Sequence, residues 1–310
     1  MAPTGLKSSQ LSTTLTEFLQ QLLNGLSLGA IFALIALGYT MVYGVLRFIN
    51  FAHCDVFMIG AFAGYYLGQH LPEHTWWGGT VALAGAMVVC AVLGVVIERL
   101  AYRPLRGAPT LNVLITAIGV SLLLENLGQY FFGATPRAFP ELFPVRTFVV
   151  GGVFFSSNQL IVIGVTLGLL FALRFIVMRT KIGTAMRALS LNRQAASLVG
   201  INNDFVISFT FALGSALAAA GGILYALNYP SIDPLMGVLP GLKAFVAAVL
   251  GGIGNIPGAA LGGLLLGVVE TFVNGSEWST YKDAIAFAVL ILILLFRPAG
   301  LLGRHVREKV

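Results

Sequence analysis

Six side chains stand out because apolar surroundings make their charge or hydrogen-bonding capacity costly. Asn50, His53 and Asp55 sit together at the start of one hydrophobic segment, Glu125 lies inside another, and Lys243 and Glu270 fall in two more. Lipid cannot solvate an ionisable group, so such a residue faces a cavity, a paired charge or a solute path. Groups of this kind beside a helix break suit a substrate pathway, where they replace water around a small polar solute. Asn50, His53, Asp55 and Glu125 are therefore the candidate pathway residues. A different chemistry suits the remaining two. Lys243 precedes Asn255 by 12 residues and Glu270 follows it by 15. At 1.5 Å per residue, an antiparallel hairpin sets them at depths of about 18 and 22 Å. That match predicts a structural Lys243–Glu270 ion pair.

Several other chemistries have no motif in this sequence. There is no G-x4-G-K-[ST] phosphate loop, and neither H-E-x-x-H nor G-x-S-x-G occurs. No nucleophile–base pair has useful spacing, so no catalytic residue is assigned. His70, Glu73 and His74 share one short loop and read as solvated donors; no metal site is expected. Cys54 and Cys90 lie in apolar settings and read as packing residues.

The elements that hold these residues must lie in a membrane. Only 10% of the 310 residues are charged, against about 25% in soluble domains. Hydrophobic residues reach 57% and mean hydropathy is +0.90, which excludes both a soluble fold and disorder. The formal charge of +6 reflects basic residues on cytoplasmic loops, and no nucleic-acid partner is expected. Glycine, 37 residues, is in excess and points to closely packed membrane helices. Its spacings include Gly25-x3-Gly29, Gly60-x3-Gly64-x3-Gly68, Gly164-x3-Gly168, Gly258-x3-Gly262 and Gly263-x3-Gly267.

About 20 apolar residues cross a bilayer. The candidate spans are 22–46, 49–68, 77–97, 111–132, 159–178, 205–227, 242–253, 259–273 and 281–296. The stretch before Leu22 lacks the basic region of a cleaved signal peptide, so the first run is expected to be retained. The seventh and eighth segments are short and joined by a Gly/Pro break, with Gly251, Gly252, Gly254, Pro257 and Gly258 as its gating residues. The expected fold is an all-α polytopic bundle of about eight or nine spans, with short or discontinuous helices. Three basic clusters fix its orientation: Arg99, Arg103, Arg106; Arg179, Lys181, Arg187, Arg193; and Arg297, Arg304, Arg307, Lys309. An even number of crossings separates them, so all three face the cytoplasm under the positive-inside rule. Trp76, Trp77, Trp278 and Tyr281 then fall at the outer interface, and the N-terminus is external.

Between two spans, residues 183–202 read GTAMRALSLNRQAASLVGIN. Apolar Met186, Leu189, Leu198 and Val199 stand against polar Arg187, Asn192, Arg193 and Gln194. Asn192 suits an N-cap and Gly200 a helix end. Two short amphipathic helices across the cytoplasmic end are expected, either as an ordinary basic loop or as a docking element for a soluble partner.

This segment resembles the coupling motif of the permease subunits of branched-chain amino-acid ABC importers. The resemblance extends to 44–60 (GVLRFINFAHCDVFMIG), 97–106 (IERLAYRPLR), 248–263 (AVLGGIGNIPGAALGG) and 297–303 (RPAGLLG). The length is like that of the shorter, H-type permease. The resemblance implies one permease domain over 1–310, with coupling segment 179–203 and Arg187, Asn192, Arg193 and Gly200 as ATPase-coupling residues. It implies a bacterial inner-membrane location, a second, M-type permease, two ATP-binding subunits and an external substrate-binding protein. ATP would reside on those partners, with no cofactor in this chain. The expected cargo is branched-chain or related small aliphatic amino acids. The alternative is a secondary transporter or channel acting without an ATPase. Two departures bear on geometry: Cys54 and Asp55 stand where the family usually has Gly and Glu, and Asn192 where an acid is frequent.

Overall fold

The computed structural model describes residues 4–297 and 299–303, with side chains from residue 15 onward. The chain order is α1 (Thr4–Leu46), α2 (His53–Gly68), α3 (Trp76–Ile97) and α4 (Thr110–Phe132). After an outer loop come α5 (Ser157–Arg179), the short α6 (Lys181–Leu191) and α7 (Arg193–Leu198), and then α8 (Asn203–Asn228). α9 (Val238–Gly251), α10 (Ile256–Asn274) and α11 (Lys282–Phe296) complete the bundle. Among the described residues, seven helices are long and apolar enough to cross a membrane; α2 has 16 residues and α9 has 14. The eighth segment is longer than its expected 259–273. The Asn255 side chain accepts from the Gly258 backbone N–H at 3.3 Å and starts α10 a turn earlier, giving 19 residues.

Close backbone approach explains the packing. A Cβ at Gly29 would lie 2.8 Å from Leu264 Cα, and one at Gly263 would lie 2.5 Å from Ala33 Cα, so α1 and α10 run antiparallel in contact. Gly60 and Gly64 meet Ala219 and Ile223, which sets α2 parallel to α8. α1 and α8 form the buried centre, whereas α3, α4, α5 and α11 keep one face outward. Gly164 and Gly168 have no neighbouring atom within 4 Å; this expected packing motif faces away from the rest of the chain.

The outer loops carry four short strands that the all-α expectation lacks. They are β1 (Arg137–Ala138), β2 (Thr147–Val150), β3 (Val153–Ser156) and β4 (Ser231–Ile232). β2 and β3 form a hairpin, and β1 pairs antiparallel with β4. Runs of two to four residues are too short to show an alternating pattern.

On α1, Gln20 Nε2 donates to Phe154 O of β3 at 3.0 Å, and just past its other end Arg47 reaches Ser190 O of α6 at 3.4 Å. The basic residues of 99–106 and 179–193 gather at the Arg47 end; Arg304, Arg307 and Lys309 lie outside the described residues. Trp76, Trp77, Trp278 and Tyr281 are exposed at the opposite end. The positive-inside rule makes the Arg47 end cytoplasmic.

Candidate translocation site and coupling face

α2 and α9 are incomplete helices that approach mid-depth from opposite sides. Residues 47–52 lead into α2 from the cytoplasmic end, and 229–237 lead into α9 from the outer sheet. Their first turns touch: a Cβ at Gly241 would meet Cys54 Cβ at 2.2 Å, and one at Gly237 would meet Cys54 O at 2.2 Å. Cys54 occupies regular α-helix, and the non-glycine residues with positive φ are Arg47 and His74. Replacing the family's glycine therefore changes the packing against α9, not the backbone conformation.

The four candidate pathway residues separate into two groups. Asn50, His53 and Asp55 are buried within the chain. Asn50 Oδ1 accepts from the Tyr102 hydroxyl at 2.6 Å, and Asp55 Oδ2 accepts from Ser121 Oγ at 2.5 Å. The His53 ring lies against Tyr39, centroids 4.7 Å apart, and its Nε2 has no hydrogen-bond partner among the described residues. Glu125, half-buried on α4, stands one turn beyond Ser121, so Asp55, Ser121 and Glu125 form a polar line between α2 and α4. Tyr102 and Ser121 were missed by sequence reasoning. A single hydroxyl in an apolar helix gives no signal of its own.

At the cytoplasmic end the five family-like stretches come together. α3 ends in a π-helical turn (Glu98–Tyr102), where Glu98, 0% exposed, accepts from Ser208 Oγ at 2.6 Å. Arg106 clasps both Glu98 and Asp204, and Arg103 holds the other oxygen of Asp204. Tyr102 packs between Phe48 and Phe211, with centroids at 5.1 and 5.3 Å. At the α9–α10 break, Gly252 and Gly254 have φ of 101° and 92°, a region that favours glycine. Leu301 and Leu302 N–H donate to Leu250 O and Gly251 O at 2.8 and 3.1 Å. Asn255 Nδ2 donates to Leu302 O at 2.7 Å. Pro257 lies in the first turn of α10, and Gly251 and Gly258 are in backbone contact. A cavity of about 440 Å³ separates this break from α6, lined by Gly44, Arg47, Arg187, Ser190, Gly254 and Pro257 among others.

The residues assigned to ATPase coupling mainly shape the segment. Asn192 Oδ1 accepts from Gln194 N and Ala195 N at 2.9 and 3.0 Å, capping α7. Gly200 turns the chain with φ of 84°. Arg187 bonds Val177 O and Thr184 Oγ1, and Arg193 turns toward Arg106 beside a second cavity. Met186 and Leu189 face inward. Leu191, Leu198 and Val199 point out, 86%, 87% and 75% exposed.

Near the outer end, Lys243 Nζ donates to Glu270 Oε1 at 2.6 Å and lies 2.6 Å from Asp283 Oδ1. The Glu270 contact is the one the hairpin spacing predicts; Asp283 comes from the next helix, whose rotation that spacing does not determine. A polar cavity of about 380 Å³ lies beside this cluster, lined by Asn24, Ser27, Asn158, Asn228, Glu270 and Lys282 among others.

Seven apolar spans, two half-length helices meeting at mid-depth and a two-helix cytoplasmic platform define a multi-span membrane permease. The family described as "Branched-chain amino acid transport system / permease component" matches residues 21–294, and the chain belongs to it. It is similar to the high-affinity branched-chain amino acid transport system permease protein BraD of Pseudomonas aeruginosa, 45% identical over 303 residues. That match covers 95% of this chain and 98% of the relative. It is also similar to LivH of Escherichia coli K12, a permease of the same description. Identity there is 43% over 301 residues, 94% of this chain and 98% of the relative. A probable branched-chain permease of Methanocaldococcus jannaschii is 28% identical over 288 residues, 87% of this chain and 88% of that one. These relatives are transport permeases. The spans and the bacterial relatives make this chain a multi-pass inner-membrane protein.

Proposed function

We propose that the chain is the H-type membrane subunit of an ATP-driven importer that moves branched-chain or related small aliphatic amino acids into the cytoplasm. ATP is hydrolysed on two separate subunits, a second, M-type permease completes the membrane unit, and an external binding protein delivers the cargo. No cofactor is assigned to this chain. The observation that carries this reading is the α6–α7 platform. It offers Leu191, Leu198 and Val199 to the cytoplasm with no partner for them among the described residues, and exposed apolar side chains on a charged surface suit a docking groove.

The outer polar cavity receives the amino acid from the binding protein. The cargo then passes the line of Asp55, Ser121 and Glu125, with Asn50 and His53 forming the closed part of the path in this conformation. A push on α6–α7 reaches the 251–258 break across the 440 Å³ cavity, and the half-helices α2 and α9 shift relative to each other to alternate access.

The test is reconstitution of the chain with its candidate partner subunits. ATP-dependent leucine uptake and ATPase stimulation by leucine-loaded binding protein are expected, and Leu198→Asp should abolish co-purification of the ATPase. Autonomous uptake by the chain in liposomes lacking any ATPase would replace this reading with a secondary transporter or channel.

A further inference from the structure

The cytoplasmic end holds more positive charge than its carboxylates balance. Arg106 and Arg103 account for both Glu98 and Asp204. Arg47 and Arg193 have no carboxylate partner among the described residues. Arg47 reaches only the Ser190 carbonyl, at a long 3.4 Å. Its backbone stands in the left-handed region with φ of 61°, which non-glycine residues avoid unless their surroundings impose it. The Arg193 guanidinium has no acceptor among the described residues. Burial first, and the neighbouring Arg106 second, push its pKa down. The structure thus brings like charges to one cavity without a carboxylate among the described residues for either Arg47 or Arg193.

What lies between them is space. Arg47, Arg106 and Arg193 line one cavity of about 160 Å³ together with Thr110, Leu105 and Val113. That volume holds a phosphate group and a few waters at about 30 Å³ per water. Thr110 opens α4, and the N-cap residue there is Pro109, which supplies no side-chain cap; the first turn contains no acid. The positive end of a 23-residue helix therefore adjoins the same cavity.

We propose that this cavity binds the phosphate of an anionic phospholipid from the cytoplasmic leaflet, held by Arg47 and Arg193 at the N-terminus of α4. A lipid fits better than a soluble anion because part of the wall is apolar. The first turns of α4 also expose Leu111 and Ile115, 63% and 60%, at membrane level. The cytoplasmic leaflet supplies anionic headgroups at that depth. An acidic residue of a docked subunit fits less well. The outward side of α7 and its end carries no charge, only Gln194, Ala195, Ser197, Leu198 and Val199, while Arg193 turns back toward Arg106.

The assignment requires only that the chain spans the membrane, so its test is independent of ATP-driven transport. The protein is purified with whatever subunits accompany it, placed in nanodiscs of phosphatidylcholine containing phosphatidylglycerol, and its retained lipids are counted by native mass spectrometry. Two interfacial arginines predict retention of phosphatidylglycerol over phosphatidylcholine on the order of thirtyfold. The double variant R47Q/R193Q should lose that preference with an unchanged melting temperature, and R47K/R193K should keep most of it. Equal retention of the two lipids by the unmodified protein overturns the proposal, as does full preference in the double glutamine variant. Displacement of the lipid by millimolar inorganic phosphate makes this a soluble-anion site and overturns the lipid source. Loss of ATPase co-purification in R47Q/R193Q with lipid preference intact assigns the arginines to that subunit and also overturns the proposal.

Discussion

The two ends of the bundle solve the problem of charge near a membrane in opposite ways. At the outer end one lysine faces two carboxylates, Glu270 and Asp283, and Lys243 and Glu270 are buried. At the cytoplasmic end arginines outnumber the carboxylates around them, and Arg47 and Arg193 stay accessible to solvent. The outer cluster joins three helices, α9, α10 and α11. The inner one ties α3 to α8 and reaches, through Tyr102, the Asn50 break. A cluster buried among three helices acts as a fastening; one whose surplus arginines stay accessible can exchange partners. The difference assigns stability chiefly to the outer cluster and adjustment to the inner one.

The largest effect should come from Lys243→Met, which leaves Glu270 buried beside Asp283 without a cation. Stranding a buried charge costs about 3–5 kcal/mol, so the melting temperature in detergent should fall sharply. An unchanged value would show that the outer cluster is no fastening. Reversing both charges, K243E/E270K, should recover only part of the loss, because Asp283 would then face a second acid. Next in size is Glu98→Gln. It keeps the Ser208 bond but removes one carboxylate from Arg106, which retains Asp204; about 2 kcal/mol is expected from a lost charged hydrogen bond. A cost equal to that of Lys243→Met would erase the contrast between the ends.

Tyr102→Phe deletes a single hydroxyl, worth about 1 kcal/mol. Its more telling readout is coupling: leucine transported per ATP hydrolysed should drop a few-fold while subunit assembly is unaffected. Equal coupling in the variant would separate Asn50 from the cytoplasmic network. The smallest effect belongs to Asp283→Asn. Its carboxylate is 40% exposed and solvent already screens it, so less than about 1 kcal/mol is expected in a thermal shift assay.

The long apolar runs made the spans and their orientation legible, since bilayer thickness sets their length and basic loops set their direction. The height of Lys243 against Glu270 was legible too, because a hairpin around Asn255 converts residue counts into depth. Asp283 was not, for it depends on how α11 turns after the outer loop. Tyr102 and Ser121 escaped for another reason: each hydroxyl acquires meaning only from a partner in a distant segment, 52 and 66 residues away. In the segment 183–202, pattern alone puts Met186, Leu189, Leu198 and Val199 in one apolar group. The structure divides them between the interior and the cytoplasm. The pairing of β1 with β4 joins loops whose sequences give no hint of each other.

The backbone bonds from Leu301 and Leu302 to the end of α9 have a consequence in time. The carbonyls of Leu250 and Gly251 are completed by residues about fifty positions later in the chain, after α10 and α11. At about 5–20 residues per second, a ribosome needs several seconds to supply them. Throughout that interval α9 has an unfinished C-terminal turn, and the break beside it has no lid. The half-helix at the centre of the molecule is thus closed only after α10 and α11 have both been made.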